Sequence, residues 1–381
     1  MRKSIAATAA LVMAVSCLAG CGMSEEEKAA KAEQDAKAAV LQEEQDTGMK
    51  RLTSENLEGA EPVVLSFVNG IKNEDTQAIA DAVGAPNIFP DNYSYSWMLT
   101  NNYENLKDTD LNDIKVKTEK QGNSVSMEVL VNTDDEKNAD TYTASYENGE
   151  WILLPPSGVA QNFQFTAPTK QVSCGDISFA DYVVSAGDNS YSWTYSVPHM
   201  LVLEESPVYT IKSNLGTFEG KMYTADKGNI ILANMSADQK SQFEGYATDA
   251  MNSVFDMLKQ GASSDEMSRI ILSEKVISEC YKSRNEEESA AYAEKLNTVT
   301  SVSMSEDDVQ TGWPAAFTYR LAGEDAVIMN VKLCIGTSLG DSRKKATITM
   351  QNFDGVWKIV NITTKSGENP FVDFSTYNPA W

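Results

Sequence analysis

Cysteine and histidine are the side chains in this chain whose chemistry is easiest to judge from spacing. Beyond the first 21 residues the cysteines are Cys174, Cys280 and Cys334, and without a C-x-x-C pair they support neither zinc binding nor thioredoxin chemistry. The single histidine, His199, excludes two-histidine metal sites and has no identified partner for cysteine–histidine catalysis. We interpret Cys280 and Cys334 as buried thiols of the last domain. A disulfide between them is the alternative that an oxidising compartment allows.

An acidic segment, residues 108–113, has the alternating oxygen ligands of a calcium loop, with Glu119 at the twelfth position. The sixth position of such a loop needs glycine for its sharp turn, and Asp113 stands there. Residues 114–119 alternate between apolar or hydroxyl side chains and charged ones, as a strand does. We therefore expect an acidic loop that enters a strand, and no metal site.

Two segments, 91–97 and 188–193, repeat a pattern of Asp, Asn, Tyr, Ser and Trp that could stack on sugars or peptides. We favour the interpretation that these aromatic residues belong to loops and cores. No carboxylate is singled out by spacing as a general base, and neither a glycine-rich phosphate loop nor a serine nucleophile elbow is evident. The sequence thus predicts no catalytic residue, no metal and no cofactor.

The first 20 residues have the features of a secretory signal peptide. A basic start at Arg2 and Lys3 precedes an apolar run over residues 5–18, which is shorter than the roughly 20 residues that span a bilayer. The run ends in Leu18-Ala19-Gly20-Cys21, which resembles the lipobox of bacterial lipoproteins. That resemblance implies cleavage before Cys21, a lipid such as palmitate on Cys21, and a cell membrane location on the extracytoplasmic face. The membrane, contacted through this lipid, is the first expected partner.

The charge of the chain argues against nucleic acid as a partner. The chain has 31 Lys and Arg against 55 Asp and Glu, a net charge of −24, and such an acidic surface repels nucleic acid and anionic lipid headgroups on average. Its 42% hydrophobic and 9% aromatic residues suffice for folded cores. We therefore expect globular domains that bind no nucleic acid.

A charged stalk is predicted over residues 21–54. Four alanines recur three or four residues apart on one helix face, and their side chains are too small to anchor a core. They are Ala29, Ala32, Ala36 and Ala39. We interpret it as a solvated helical or disordered spacer, with a helix-pairing segment as the alternative.

Proline-rich breaks at residues 155–169 and a helix start at Ser236 divide the rest into segments 55–165, 166–235 and 236–381. Ser236 with Gln239, and later Ser263 with Glu266, are capping-box signatures. Between them the apolar residues follow a helical period: Phe243, Tyr246, Ala247, Ala250, Met251, Val254, Phe255 and Leu258.

The same order of elements is predicted twice. Pro62 suits the start of a first helix, whose apolar face carries Val64, Phe67, Val68 and Ile71. Alternating strands follow each helical region, with apolar positions Val125, Met127, Val129 and Val131 in the first half and Val327, Met329, Val331 and Leu333 in the second. Each half then has a hairpin turn and a tryptophan, at Asn148-Gly149 before Trp151 and at Asp354-Gly355 before Trp357.

This repeated order resembles the NTF2-like fold, in which helices pack into a bent antiparallel sheet. The resemblance implies an α+β chain with two NTF2-like cone domains flanking a small all-β module at 166–235. Two unrelated α+β domains are the alternative. The duplication allows the two domains to pair within one chain or across a homodimer.

An anchored chain with a β module between NTF2-like units resembles the extracytoplasmic part of TcaA-type envelope proteins. It departs from them in having a lipoprotein signal, no zinc-ribbon cysteines and no transmembrane helix. The function expected is non-catalytic binding or scaffolding in the cell envelope, with a cell-wall or envelope protein as partner. One alternative is an NTF2-like isomerase, dehydratase or hydrolase that uses a buried carboxylate. A second is an envelope-stress or glycopeptide-response factor that contacts peptidoglycan.

Overall fold

The protein is a mixed α+β chain, as predicted, with 31% helix and 41% strand. A computed structural model describes residues 24–53, 56–90, 94–111, 114–121, 124–131, 140–187, 191–226, 228–307 and 317–374. The predicted lipid site at Cys21 and the signal peptide at 1–20 lie outside the described residues.

The chain forms two compact units. One comprises Met1–Gly84 with Ser94–Gly158, and the other comprises Ala85–Tyr93 with Val159–Trp381. The division at Gly158 falls in the Pro-Pro-Ser-Gly turn that the sequence marks as a break. The strand after this turn already belongs to the middle sheet, which therefore begins before residue 166.

The first unit combines helices with a five-stranded sheet, whose short first strand lies between the first two helices in sequence. Its helices are α1 (Glu25–Thr47), α2 (Glu61–Lys72), α3 (Thr76–Ala82) and α4 (Ser94–Thr100), with a 3-10 turn at Glu104–Leu106. Its strands are β1 (Lys50–Arg51), β2 (Ile114–Gln121), β3 (Ser124–Val131), β4 (Asp140–Glu147) and β5 (Glu150–Leu154). They pair antiparallel in the order β1-β2-β3-β4-β5.

Sequence periodicity correctly gives the buried face of α2, because Val64, Phe67, Val68 and Ile71 are all fully buried. Proline stands in the first turn of this helix, where a missing N–H costs no hydrogen bond. The predicted turn between β4 and β5 is also confirmed. Asn148 and Gly149 have φ of 52° and 96°, as a two-residue type I′ hairpin requires.

In the middle of the chain, from Val159 to Asn234, the regular elements among the described residues are strands apart from a 3-10 turn at Ala180–Tyr182. They are β6 (Val159–Ala167), β7 (Gln171–Cys174), β8 (Ile177–Ser178), β9 (Val183–Ala186), β10 (Trp193–Leu201), β11 (Tyr209–Ser213), β12 (Gly216–Ala225) and β13 (Gly228–Asn234). The order is β8-β7-β11-β12-β13-β6-β10-β9, and the pair β13 with β6 is parallel.

The middle sheet curls around an aromatic core. Phe165 on β6 stacks on Tyr195 of the neighbouring β10, with ring centroids 4.6 Å apart. Phe179 contacts both Phe165, at 5.7 Å, and Tyr209 on β11, at 6.1 Å. Because β12 and β13 separate β6 from β11 in the sheet, one ring reaches both strands only if the sheet bends.

The C-terminal part again places helices before an antiparallel sheet. The helices are α5 (Ala237–Lys259), α6 (Ser264–Met267), α7 (Glu274–Cys280) and α8 (Glu286–Thr298). The strands are β14 (Val299–Glu306), β15 (Tyr319–Ala322), β16 (Ala326–Thr337), β17 (Gly340–Phe353) and β18 (Val356–Thr364). The order is β14-β16-β17-β18, and β15 pairs with β16.

The two predicted capping boxes begin α5 and α6, at Ser236 with Gln239 and at Ser263 with Glu266. On α5 the helical stripe is buried except for Tyr246 and Leu258, which are half-buried. The second predicted hairpin is confirmed too, since Asp354 and Gly355 have φ of 51° and 90°.

Within the second unit, the turn between β15 and β16 attaches to the middle sheet. Asn214 Nδ2 donates to Asp325 Oδ1 at 2.7 Å, and the Gly323 backbone N–H donates to the Tyr191 carbonyl at 3.0 Å. The Lys170 amide donates to Glu324 Oε1 at 3.2 Å, and burial raises the pKa of Glu324. This contact fixes the middle sheet against the C-terminal sheet. Among the described helices, none has the length and apolar character to cross a bilayer.

Candidate functional site

A cluster of titratable side chains lies between α5 and the inner face of the C-terminal sheet. Tyr319, the first residue of β15, is 1% exposed, and its hydroxyl donates to a carboxylate oxygen of Glu244 on α5. Burial raises the pKa of Tyr319, and the Glu244 carboxylate raises it further. The phenol therefore remains protonated and holds Glu244 as a hydrogen-bond acceptor.

An ion pair extends this cluster. Lys240 lies one helical turn before Glu244 on α5, so both side chains share a helix face. Lys240 Nζ is 2.7 Å from Glu306 Oε1 on β14 and 5.2 Å from the centre of the Tyr319 ring. We call Lys240, Glu244, Glu306 and Tyr319 the inner cluster. With two carboxylates, one ammonium and one phenol, it has the groups needed to bind a polar ligand or to transfer a proton.

Aromatic side chains fill the same domain on another part of α5. Phe255 contacts Phe371 at 5.2 Å and Phe374 at 5.5 Å, and neither Phe371 nor Phe374 is exposed. The C-terminal segment that carries them is tied to α8, where the Tyr292 hydroxyl donates to the Phe371 carbonyl at 3.1 Å. Lys295 Nζ also donates to the Val372 carbonyl at 2.9 Å. This part of the domain is a packed core.

The first unit contains a cluster of phenols. The Tyr103 hydroxyl donates to the Ser157 carbonyl at 2.9 Å, and the Tyr142 hydroxyl has no hydrogen-bond partner among the described residues. Both rings contact Phe67, at 5.5 and 6.1 Å. Burial raises the pKa of both phenols, and partial burial raises that of Asp140 at the start of β4. The interior here is mainly aromatic, with one unsatisfied hydroxyl.

Cys174, Cys280 and Cys334 are free thiols in the structure, so no Cys280–Cys334 disulfide is present. Cys174 and Cys280 are buried, and burial raises the pKa of Cys280 to about 11. The expectation that Cys334 is also buried is wrong. Along β16 the residues alternate, and Leu333 and Ile335 face the core while Cys334 lies half-exposed on the other face.

His199 is 5% exposed on β10, opposite Gln161 of β6. It is therefore a buried residue of the middle sheet. Of the acidic segment 108–113, the last two residues lie outside the described part, and Glu119 is in β2 opposite Ser126. A strand at Glu119 is incompatible with the continuous loop of a calcium site.

The two aromatic segments are described only in part, because residues 91–93 and 188–190 lie outside the described residues. Trp97 is 1% exposed, donates from Nε1 to the Gly158 carbonyl at 3.3 Å and is a core residue. Trp193 is half-buried, and Lys170 Nζ lies 4.1 Å from the centre of its ring. One face of the Trp193 ring is therefore already occupied by the Lys170 ammonium in a cation–π contact.

Sequence reasoning missed the inner cluster. The signal that the sequence offered is the four-residue spacing of Lys240 and Glu244. This spacing places both side chains on one helix face, at the edge of the apolar stripe of α5. Nothing in the sequence pairs them with Glu306 and Tyr319, because the sheet brings those residues together from separate strands. No family model matches the chain, and no curated protein matches it at a significant level.

Proposed function

We propose that this chain is a lipoprotein held at the extracytoplasmic face of the cell membrane by a lipid on Cys21, with a non-catalytic binding or scaffolding role. The observation that carries the proposal is the Leu18-Ala19-Gly20-Cys21 motif after a short apolar run. The helix α1, which follows at Glu25, supports it. Its described side chains are nearly all exposed, and ion pairs such as Lys37–Glu33, at 2.7 Å, suit a solvated spacer.

The body is proposed to contain two NTF2-like domains around the middle β module, as in the envelope proteins of TcaA type. Two sets of four antiparallel strands support this, β2-β3-β4-β5 and β14-β16-β17-β18, each preceded by helices. In each set the last two strands are joined by a type I′ hairpin, and a tryptophan stands two residues after the turn glycine. A shared order of helices, strands, turn type and tryptophan is what a duplication would leave.

Aromatic packing supports binding by outer surfaces over catalysis inside the domains. Phe67, Tyr103 and Tyr142 pack together in the first unit, and Phe255, Phe371 and Phe374 in the second. Close-packed rings leave little room for a substrate at those places.

Cell fractionation with Cys21→Ala tests the proposal. The wild-type chain should sediment with membranes and be released by detergent, whereas the variant should appear in the soluble or secreted fraction. Cys174→Ala is the matched control, because it removes a thiol from the body and should leave the protein in the membrane fraction. Membrane retention of Cys21→Ala equal to wild type would overturn the proposal.

The inner cluster supports a second candidate function, that of an NTF2-like enzyme. In this proposal Glu244 accepts or returns a proton, and Tyr319 orients the Glu244 carboxylate. A fragment set of small ketones and hydroxy compounds, screened by thermal shift, tests it. Compounds that stabilise the wild type and the Tyr103→Phe control, but not Tyr319→Phe or Glu244→Gln, would support this candidate. Equal responses of all four proteins would contradict it.

A further inference from the structure

One arginine of the C-terminal sheet has no partner for its charge among the described residues. Arg320, on β15, is half-buried, and its Nε atom is closed to solvent and has no hydrogen-bond acceptor. By comparison, the Arg343 guanidinium lies 3.4 Å from the Asp341 carboxylate. Burial lowers the pKa of Arg320, and no described carboxylate offsets this effect. The guanidinium still stays charged at neutral pH, because its ordinary pKa is 12.5.

The neighbours of Arg320 in the sheet are uncharged. Ile328 of β16 is directly opposite Arg320, and Thr349 of β17 follows in the same row. Ala322 is two residues further along β15, on the same face of the sheet, and is buried. Ala326 of β16 is directly opposite Ala322 and is buried too. These positions supply apolar groups and one hydroxyl, but no counter-ion.

The carboxylates that follow Arg320 most closely in sequence have other partners. Glu324 and Asp325 lie in the turn between β15 and β16. Glu324 Oε1 accepts from the Lys170 backbone N–H at 3.2 Å. Asp325 Oδ1 accepts from Asn214 Nδ2 at 2.7 Å. Both donors belong to the middle part of the chain, so these carboxylates attach the turn to it and leave the Arg320 Nε without an acceptor.

Arg320 lies where the middle sheet and the C-terminal sheet are in contact. The strand β13 packs against β15. Before Arg320 in the chain, the Phe317 ring contacts Tyr223 of β12, with ring centroids 6.0 Å apart. After it, the Gly323 backbone N–H donates to the Tyr191 carbonyl at 3.0 Å. We call the strip between these two contacts, along β13 and β15, the seam. Because Arg320 is half-buried, a small molecule can reach part of its side chain there.

An unpaired charge in such a place costs folding free energy. The guanidinium loses part of its hydration, and a buried N–H without an acceptor is rare enough to need an explanation. Natural proteins keep such costly groups mainly at functional sites. The Nε–H and one Nη–H of an arginine point in parallel, so they form two hydrogen bonds to one carboxylate. Arg320 therefore has the donors that a carboxylate ligand requires.

We propose that Arg320 binds the carboxylate of a small organic acid that enters the seam. A single guanidinium balances a single negative charge, and the net charge of −24 disfavours ligands that carry several. Ile328, directly opposite Arg320, offers an apolar surface to the carbon skeleton of the acid. A free acid and the C-terminal carboxylate of a peptide share this chemistry. The inference depends neither on the lipid anchor nor on the inner cluster.

Nuclear magnetic resonance of the arginine side chains tests the proposal. The chain from residue 21, with Cys21→Ala and ¹⁵N-labelled arginine, gives Nε–H signals, and Arg320→Gln identifies the signal of Arg320. Butyrate should shift this signal downfield, as a charge-assisted hydrogen bond does, whereas the neutral butyramide should leave it in place. N-acetylalanine, compared with its amide, tests the peptide carboxylate in the same way and separates the two sources.

Variants measure what the guanidinium contributes to binding of the acid that shifts the signal. In thermal shift titrations, Arg320→Gln should bind this acid about thirtyfold more weakly. Arg320→Lys should bind it about tenfold more weakly, because lysine lacks the planar fork. The matched control is Arg269→Gln, which makes the same charge change at an exposed position and should bind as the parent does.

Stability without ligand gives an independent readout. Arg320→Met removes the unpaired charge and keeps an apolar side chain, so its folding equilibrium constant should rise about fivefold. A lower folding equilibrium constant would show that the guanidinium is already satisfied within the protein, and would overturn the proposal.

Other results would overturn the proposal as well. An Arg320 signal that no acid shifts would indicate that water alone satisfies the Nε–H. Equal shifts with an acid and its amide, or with sodium chloride at the same ionic strength, would show that the carboxylate is not recognised. Equal affinity of Arg320→Gln and the parent would place the binding elsewhere. Chemical denaturation of each variant separates loss of binding from loss of folding, and none of these results bears on lipidation of Cys21.

Discussion

Trp357 stacks on Tyr246, with ring centroids 5.0 Å apart and an interplanar angle of 16°. This contact joins the last hairpin of the chain to α5, and Phe243 adds a T-shaped contact to the same tryptophan at 5.6 Å. In the first unit the corresponding Trp151 contacts the exposed Tyr146 across the hairpin at 5.3 Å. The two tryptophans thus have the same place in the sequence pattern and different amounts of packing.

Truncation of the two tryptophans should therefore have unequal effects. Trp357→Ala removes ring contacts to a helix and should lower the free energy of unfolding of its unit by about 2 to 3 kcal/mol. Trp151→Ala removes a contact within one hairpin and should cost about 1 kcal/mol. Calorimetric melting of both variants measures the difference. Equal losses of unfolding free energy in the two variants would contradict the difference in packing between Trp357 and Trp151.

Replacement of glycine by alanine at two positions should change the free energy of unfolding in opposite directions. Gly355 has φ of 90° in the hairpin turn, where a Cβ would meet no atom within 4 Å, so Gly355→Ala adds backbone strain alone and should cost about 1 kcal/mol. Gly245 lies exposed within α5, and Gly245→Ala should stabilise by about 0.5 to 1 kcal/mol. Chemical denaturation of the two variants checks both signs, and a stabilising Gly355→Ala would refute the turn geometry.

Alkaline pH should unfold the protein. Burial raises the pKa of eight described tyrosines above the ordinary value of 10.0, and the rise is largest for Tyr142, Tyr195, Tyr209, Tyr292 and Tyr319. Because their folded-state pKa exceeds that of the unfolded chain, the stability from the protonated phenols is complete below about pH 10 and falls as the pH rises above it. Tyrosinate absorbance followed together with circular dichroism should show these phenols ionising in one steep step with unfolding. Smooth ionisation near pH 10 in a chain that stays folded would contradict their burial.

Cysteine reactivity should rank by exposure. At about pH 8, iodoacetamide should modify Cys334 first, because Cys174 and Cys280 are buried and burial raises the pKa of both thiols. Peptide mass spectrometry over time gives the order. Denaturant should make all three react at similar rates, which is the control, and early modification of Cys280 in the folded chain would disagree with its place in the core.

Local patterns in the sequence were sufficient to predict many of the helices, strands and turns of the fold. The capping boxes at Ser236 and Ser263, the stripe of α5 and the Asn-Gly and Asp-Gly turns are each set by residues within a few positions of one another. Helix and turn chemistry acts over this range, so the sequence alone predicts them.

Features that depend on residues far apart in sequence were missed. Phe371 and Phe374 reach the core through a segment without regular structure, and no period marks them. The inner cluster joins α5 to β14 and β15, which are separated from it in sequence. Which residues of β16 and β17 lie opposite one another is set by the hairpin between these strands, a relation that composition does not contain.

Lipidation of Cys21 can be measured on the N-terminal peptide of the membrane-bound protein. The mature chain should begin at Cys21 and carry a thioether-linked diacylglycerol on that residue. Material purified from membranes in detergent, digested and measured by mass spectrometry should show this lipopeptide. An N-terminus at another residue, or an unmodified Cys21 thiol in the membrane fraction, would contradict the lipoprotein account.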